Sequence, residues 1–95
     1  NNDRIGMSVE EVCAQVWGKV DSPGRARDNW SHIGSRSKRI IHSTSMLAGT
    51  IPVAAGVAYA DRLNGGDAVV VTYNGEGSTA QGIFHEAINY AAVHK

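Results

Sequence analysis

A chain of 95 residues has room for one small domain with a thin core, because so short a chain leaves much of its surface in water after folding. Nine basic and nine acidic residues cancel, so no chain-wide field selects nucleic acid, an acidic substrate or a membrane surface. The single cysteine, Cys13, excludes an internal disulfide, and no Cys/His set has the spacing of a structural zinc site; a reducing compartment is the simpler reading. The apolar runs are too short to span a membrane, and no secretion signal opens the chain. The absence of an initiator Met before Asn1 and of a helix stop at His94-Lys95 reads as a chain cut at both ends.

From Ser8 to about Lys19, Val9, Val12, Cys13, Val16, Trp17 and Val20 recur at helical spacing on one face. Ser8 and Glu11 form a capping-box pair ahead of that face. A buried helical stripe is expected, with Cys13 a core thiol rather than a nucleophile. Asp21 to Ser45 follows as a long polar connection with Pro23, Gly24, Gly34, many serines and the short apolar pair Ile40-Ile41. Loops of this length inside small domains are usually functional or disordered, so an ordered one is expected to line a site or an interface.

Leu47 to Leu63 reads as a second helix, with Pro52 tolerated in its first turn and Ala54, Ala55, Gly56, Ala58 and Ala60 giving a small-residue surface suited to a crowded interior. Asn64-Gly65-Gly66 ends it, since these residues accept the backbone of a helix C-terminus. Ala68 to Tyr73 is a continuous β-branched run expected to be a strand buried on both faces, as in a parallel sheet. A third helix is expected from Thr79 to the end, with Ile83, Phe84, Ala87, Ile88, Ala91 and Ala92 on one stripe. The fold class is therefore α/β, a helix-loop-helix-strand-helix fragment of a parallel-sheet fold; one strand makes no sheet, so its neighbours lie outside these residues.

The turn Gly75-Glu76-Gly77 sits between that strand and the third helix, where α/β proteins bind ligands. Glycines let a backbone approach phosphate and adopt conformations closed to other residues. A carboxylate between them repels bare phosphate but suits Mg²⁺ held between protein and diphosphate. The same tripeptide is also what many ordinary turns carry, with Glu76 simply solvated.

Gly75-Glu76-Gly77, Gln81-Gly82 and Glu86 to Ala92 resemble the thiamine-diphosphate signature of the α subunits of 2-oxo acid dehydrogenases. The likeness continues upstream through Ile51-Pro52, Gly56, Ala58-Tyr59-Ala60, Pro23-Gly24-Arg25-Ala26-Arg27 and His32-Ile33-Gly34-Ser35, and is strongest to branched-chain members, with pyruvate and acetoin dehydrogenase subunits close. The resemblance implies that residues 1–95 are part of one thiamine-diphosphate-binding domain. It gives Glu76 the divalent metal, Mg²⁺, and Gly75, Gly77 and Ser78 the diphosphate. It puts the Ser45 backbone at the aminopyrimidine and makes Leu47 the apolar wedge beside thiamine, although the residues alone read Leu47 as a core residue at a helix start. No residue is assigned a catalytic role.

The implied reaction is oxidative decarboxylation of a 2-oxo acid with acyl transfer to a lipoyl group. The implied partners are a β subunit and a lipoyl acyltransferase core, in the cytoplasm or, in a eukaryote, the mitochondrial matrix. The Asn metal ligand that closes the family signature lies farther past the turn than Asn89, so the chain alone is expected not to turn over. Gly49 and Thr50 replace a polar pair that binds a monovalent cation in branched-chain members, and that cation is not expected. The alternatives are a non-catalytic phosphate-binding module and an inert fragment.

Other clusters read as background. His85-Glu86 lacks the second His of a zinc-protease motif, because Asn89 stands there. His32 and His42 sit in the long loop, where surface structure is the default and proton transfer the alternative. Arg36-Ser37-Lys38-Arg39 has no interleaved aromatics and reads as a solvated loop rather than a nucleic-acid contact.

Overall fold

A computed structural model describes residues 6–94, which form two compact units that meet in sequence between Ser43 and Thr44. Among the described residues there are three α-helices, α1 (Val9–Val16), α2 (Thr50–Leu63) and α3 (Gly82–His94), with a 3₁₀ turn over Glu76–Ala80.

In the first unit the capping box forms as the sequence requires. Ser8 Oγ accepts the Glu11 N–H at 3.2 Å, and the Glu11 carboxylate accepts the Ser8 N–H at 2.7 Å. The helix stops short of Lys19 because Gly18 turns left-handed at φ +62°, a backbone that L side chains resist. The face it buries is not the expected one. Gln15 is only 3% exposed, whereas Trp17 is 72% exposed and Val9, Val12, Val16 and Val20 also face solvent; Cys13 is half-buried and free. The reason is polar: the Gln15 amide accepts the Gly24 N–H at 2.8 Å and donates to Asn29 O at 3.0 Å. One side chain thereby supplies two main-chain partners from the following loop, and that loop packs on the polar side of α1. A Cβ on Gly24 would stand 2.7 Å from Gln15 Nε2, so the contact also depends on glycine there.

The Asp21–Ser45 connection is ordered. It is built from successive tight turns, among them Arg25 N–H to Ser22 O at 2.9 Å and Arg27 N–H to Gly24 O at 3.0 Å, and from a short antiparallel bridge between Ser35 and Ile40. Lys38, expected in water, instead forms an ion pair with Glu11 at the start of α1.

In the second unit α2 begins after Gly49, later than Leu47, and ends at Asn64 with Gly65 at φ +77°. The segment from Ala68 to Tyr73 is extended but is not a strand, and no named strand occurs among the described residues. A strand needs a partner ladder; here the segment lies along α2 and bonds to its side chains. Val70 and Thr72 are half-buried while Val69, Val71 and Tyr73 (92%) are exposed, the alternation of an extended chain covered on one side only. The expected two-sided burial is therefore absent from this chain.

Two contacts fix the segment's direction. The Asp61 carboxylate, near the end of α2, accepts the Ala68 N–H at 3.0 Å. At the other end Thr72 Oγ1 donates to Thr50 Oγ1 at 3.0 Å. A 14-residue helix is about 21 Å long, and six extended residues span about 20 Å, so the segment carries the chain back along α2 to its starting end. The third helix then runs the same way as α2: Tyr59 meets the Tyr90 ring edge-on at 5.9 Å and the His94 ring at 5.0 Å, and Arg62 donates to His94 O.

The α2 helix has no buried residue, and its Val53, Gly56, Val57 and Ala60 row faces solvent. The crowded interior expected for its small residues is not formed within these residues. No helix among the described residues is long and apolar enough to cross a membrane.

Two measurements check this account. Gln15→Ala strands the Gly24 N–H and Asn29 carbonyl and is expected to cost about 2 kcal/mol, read as a lower urea midpoint. The Lys38 ammonium, and then the Ser8 N–H, hold the Glu11 carboxyl below its ordinary value. A lowered folded pKa means that this stabilisation is present above the ordinary glutamate range and is lost as pH falls through the lowered value. In an NMR titration the Glu11 midpoint is expected to rise toward the ordinary value in Lys38→Met.

Candidate cofactor site

The Gly75–Ser78 turn is organised from beneath by hydroxyls. Ser78 is 3% exposed; its Oγ–H and its N–H both donate to Gly75 O, at 2.6 and 3.0 Å. Thr79 Oγ1 donates to Glu76 O at 2.7 Å. Short hydroxyl side chains that bond back to the main chain tighten a turn and compete with regular helix, which is why Glu76–Ala80 is a 3₁₀ turn and α3 starts only at Gly82. The expected helix start at Thr79 is therefore displaced, and the helix dipole acts at Gly82 rather than at Glu76.

The two glycines work differently from expectation. Gly75 has φ −70° and ψ 152°, a backbone open to any residue, and Gly77 is not among the glycines with positive φ. A Cβ on either would meet nothing within 4 Å. Neither backbone conformation nor internal packing requires glycine here, and the space over both residues is open to an approaching ligand. Glu76 is exposed, and no side chain among the described residues pairs with its carboxylate. An exposed lone carboxylate between two uncovered peptide units fits a hard divalent cation that also takes phosphate oxygens. Ser78 fits less directly, because its N–H and O–H are already committed to Gly75.

The turn before α2 lies at the same end of the unit. Thr72 Oγ1 donates to Thr50 Oγ1 (3.0 Å), Thr50 Oγ1 to Asn74 Oδ1 (3.4 Å), and Asn74 Nδ2 to Thr72 Oγ1 (3.4 Å). This closed ring of three joins the first residue of α2 to the residue before Gly75. Ser45 and Leu47 precede α2 in a turn braced by Met46 N–H to Thr44 Oγ1 (3.0 Å) and Gly49 N–H to Met46 O (3.1 Å). Ala48, buried and left-handed at φ 62°, holds Leu47 outward at 63% exposure. Leu47 is therefore not a core residue at the start of the helix. The Ser45–Leu47 and Gly75–Ser78 segments are thus brought to one end of the unit. Asn89 is exposed on α3, as is His85, which touches the Phe84 ring at 5.2 Å.

The sequence reading missed Thr50, Thr72 and Asn74 as a group. Their signal was faint: Thr72 and Asn74 share a face of an extended segment, while Thr50 lies more than twenty residues away.

The family profile described as "Dehydrogenase E1 component" matches residues 4–95. The chain belongs to that family. It is 35% identical over 88 residues to 2-oxoisovalerate dehydrogenase subunit alpha 2, mitochondrial, of Arabidopsis thaliana, covering 93% of this chain and 19% of that one. It is 35% identical over 92 residues to the Bacillus subtilis 2-oxoisovalerate dehydrogenase subunit alpha (96% and 28%), and 37% identical over 85 residues to the Bos taurus mitochondrial subunit (90% and 19%). The resemblance to 2-oxo acid dehydrogenase α subunits is borne out, and the chain spans between about a fifth and about three tenths of these relatives' lengths.

Replacing Thr72 with Val keeps its shape and removes its donor to Thr50. This E1-family chain is expected to lose about 1 kcal/mol, with faster amide exchange at Asn74 to Gly77 and unchanged exchange in α1.

Proposed function

We propose that this chain supplies an E1 component with the turn that holds the diphosphate and metal ion of thiamine diphosphate. The observation that carries the reading is Glu76: exposed, unpaired among the described residues, and flanked by two glycines with open space above them. Its carboxylate is the Mg²⁺ ligand, and the peptide units of Gly75 and Gly77 face the diphosphate. Ser78 acts by holding the Gly75 carbonyl and so the shape of the turn. The Ser45 main chain and the exposed Leu47 side chain, at the same end of the unit, lie beside the thiamine portion, where Leu47 supplies an apolar surface that excludes water.

When bound, the cofactor supplies the electron sink that decarboxylation of a 2-oxo acid needs; the protein supplies position and electrostatics. In the whole enzyme the reaction is oxidative decarboxylation with acyl transfer to a lipoyl group. Branched-chain substrates are favoured by the names of the relatives, which are 2-oxoisovalerate dehydrogenases. Ala68 to Tyr73 serves as a strand of a parallel sheet in the complete domain, and the exposed faces of Val69, Val71 and Tyr73 support that role. A β subunit and a lipoyl acyltransferase core are the partners, in the cytoplasm or, for a eukaryotic protein, the mitochondrial matrix.

Calorimetry of the protein with its β subunit tests the reading. Thiamine diphosphate is expected to bind only with Mg²⁺, and Glu76→Gln to raise the Mg²⁺ requirement by about tenfold or more with an unchanged circular dichroism spectrum. Equal binding of ordinary nucleotides, or no effect of Glu76→Gln, overturns it in favour of a general phosphate-binding module or an inert fragment.

A further inference from the structure

The loop of the first unit holds a cluster that the cofactor turn does not use. Asp28 engages two histidines, one through each carboxylate oxygen: Oδ1 lies 3.1 Å from His32 Nδ1, and Oδ2 lies 3.0 Å from His42 Nε2. The imidazole rings meet edge to face with centroids 5.4 Å apart. One ligand atom from each of the three residues lies within 4.8 Å of the others. Neither histidine is the isolated surface group that its loop position suggested.

The backbone, rather than the side chains, creates this convergence. Asp28 and His32 are joined by a turn in which the His32 N–H donates to Asn29 O at 3.1 Å, and Asn29 Oδ1 accepts from the N–H and Oγ of Ser31, each at 3.0 Å. His42 arrives on the opposite arm. The arms are tied by the Ser35–Ile40 pair at 2.8 and 2.9 Å, by Ser43 Oγ donating to Ser31 O at 2.8 Å, and by the Ile33 N–H donating to Ser43 Oγ at 3.3 Å. Gly34 makes the close approach possible, since a Cβ there would stand 3.1 Å from His42 Cα.

We propose that Asp28, His32 and His42 form a binding site for a zinc-class divalent metal ion that clips the two arms of this loop together. Two imidazole nitrogens and one carboxylate are the donor set of zinc and related first-row ions, whereas magnesium takes oxygen alone. Tetrahedral zinc with bonds of about 2.0–2.2 Å sets its ligand atoms roughly 3.3 Å apart. Each histidine has a ring nitrogen 3.0–3.1 Å from a different Asp28 oxygen, and one ligand atom from each of the three residues lies within 4.8 Å of the others, so a modest inward swing brings the set to that spacing. Asp28 and His42 are solvent-exposed and His32 is half-buried, so an ion can enter and water can complete the coordination. The ion would add a cross-link between the two arms to the hydrogen bonds that already tie them, and loop closure of this kind stabilises a fold.

Titration of the full chain with ZnCl₂ by calorimetry, and with CoCl₂ by visible absorption, tests the site. One ion per chain is expected, with cobalt ligand-field bands, no competition from Mg²⁺, and a loss of affinity of about tenfold or more in His42→Ala and Asp28→Ala; His85→Ala leaves binding unchanged. Absence of zinc binding, or binding that His42→Ala and Asp28→Ala do not weaken, overturns the proposal. Should a variant unfold, imidazole ¹⁵N spectra of the unaltered chain decide: zinc-induced shifts at His32 Nδ1 and His42 Nε2 support the site, and shifts confined to His85 or His94 overturn it.

Discussion

The return of an extended segment along α2 is the constraint on which the second unit depends. It is fixed at one end by the Asp61 carboxylate on the Ala68 N–H and at the other by the hydroxyl ring of Thr50, Thr72 and Asn74. Because the segment and the helix have nearly equal lengths, the chain comes back level with the first turn of α2. That return delivers Gly75 to Ser78 beside the turn carrying Ser45 and Leu47, and it sends α3 off parallel to α2 with Tyr59, Tyr90 and His94 stacked at the far end. The candidate cofactor site follows from this path.

Polar side chains do much of the joining in both units. Among the described residues no side chain is fully buried, and the buried ones are the small Ala48, Ala87, Ser22 and Ser78 together with Gln15. A short chain cannot assemble a large apolar core, so specificity falls to groups that satisfy two main-chain partners at once: Gln15 for Gly24 and Asn29, Ser43 for Ser31 and Ile33. Large apolar side chains meanwhile lie in rows on the outside, along α1 at Val9, Val16 and Trp17 and along the extended segment at Val69, Val71 and Tyr73. Grouped exposed apolar surface of this kind marks contact with further protein rather than with water, in keeping with a chain that matches only part of its relatives' length.

The two metal sites proposed above differ in chemistry. Glu76 offers a single carboxylate in an open turn, suited to a hard ion that brings phosphate oxygens with it. Asp28, His32 and His42 offer nitrogen and oxygen together on a braced loop, suited to a borderline ion that needs no substrate to complete its shell. Different ions would therefore distinguish them in solution.

Sequence alone determined the elements whose cause is local. The Ser8–Glu11 capping box, the stop at Asn64-Gly65 and the existence of all three helices follow from side chains that act within a few residues of themselves. The turn at Glu76 was legible for the same reason, and so was membership of the E1 family, because ordered motifs survive in a partial chain. Only the tertiary structure decided which faces are covered. Periodicity groups Val9, Val12, Val16 and Trp17 on one side of α1, but a partner must be present to bury them, and Gln15 turned the other side inward. A β-branched run becomes a strand only against a second strand, and Ala68 to Tyr73 has a helix beside it instead. Contacts between residues far apart in sequence, Thr50 with Thr72 and Asp28 with His42, leave no local pattern to read; they exist because the folded backbone brings their side chains within hydrogen-bonding distance.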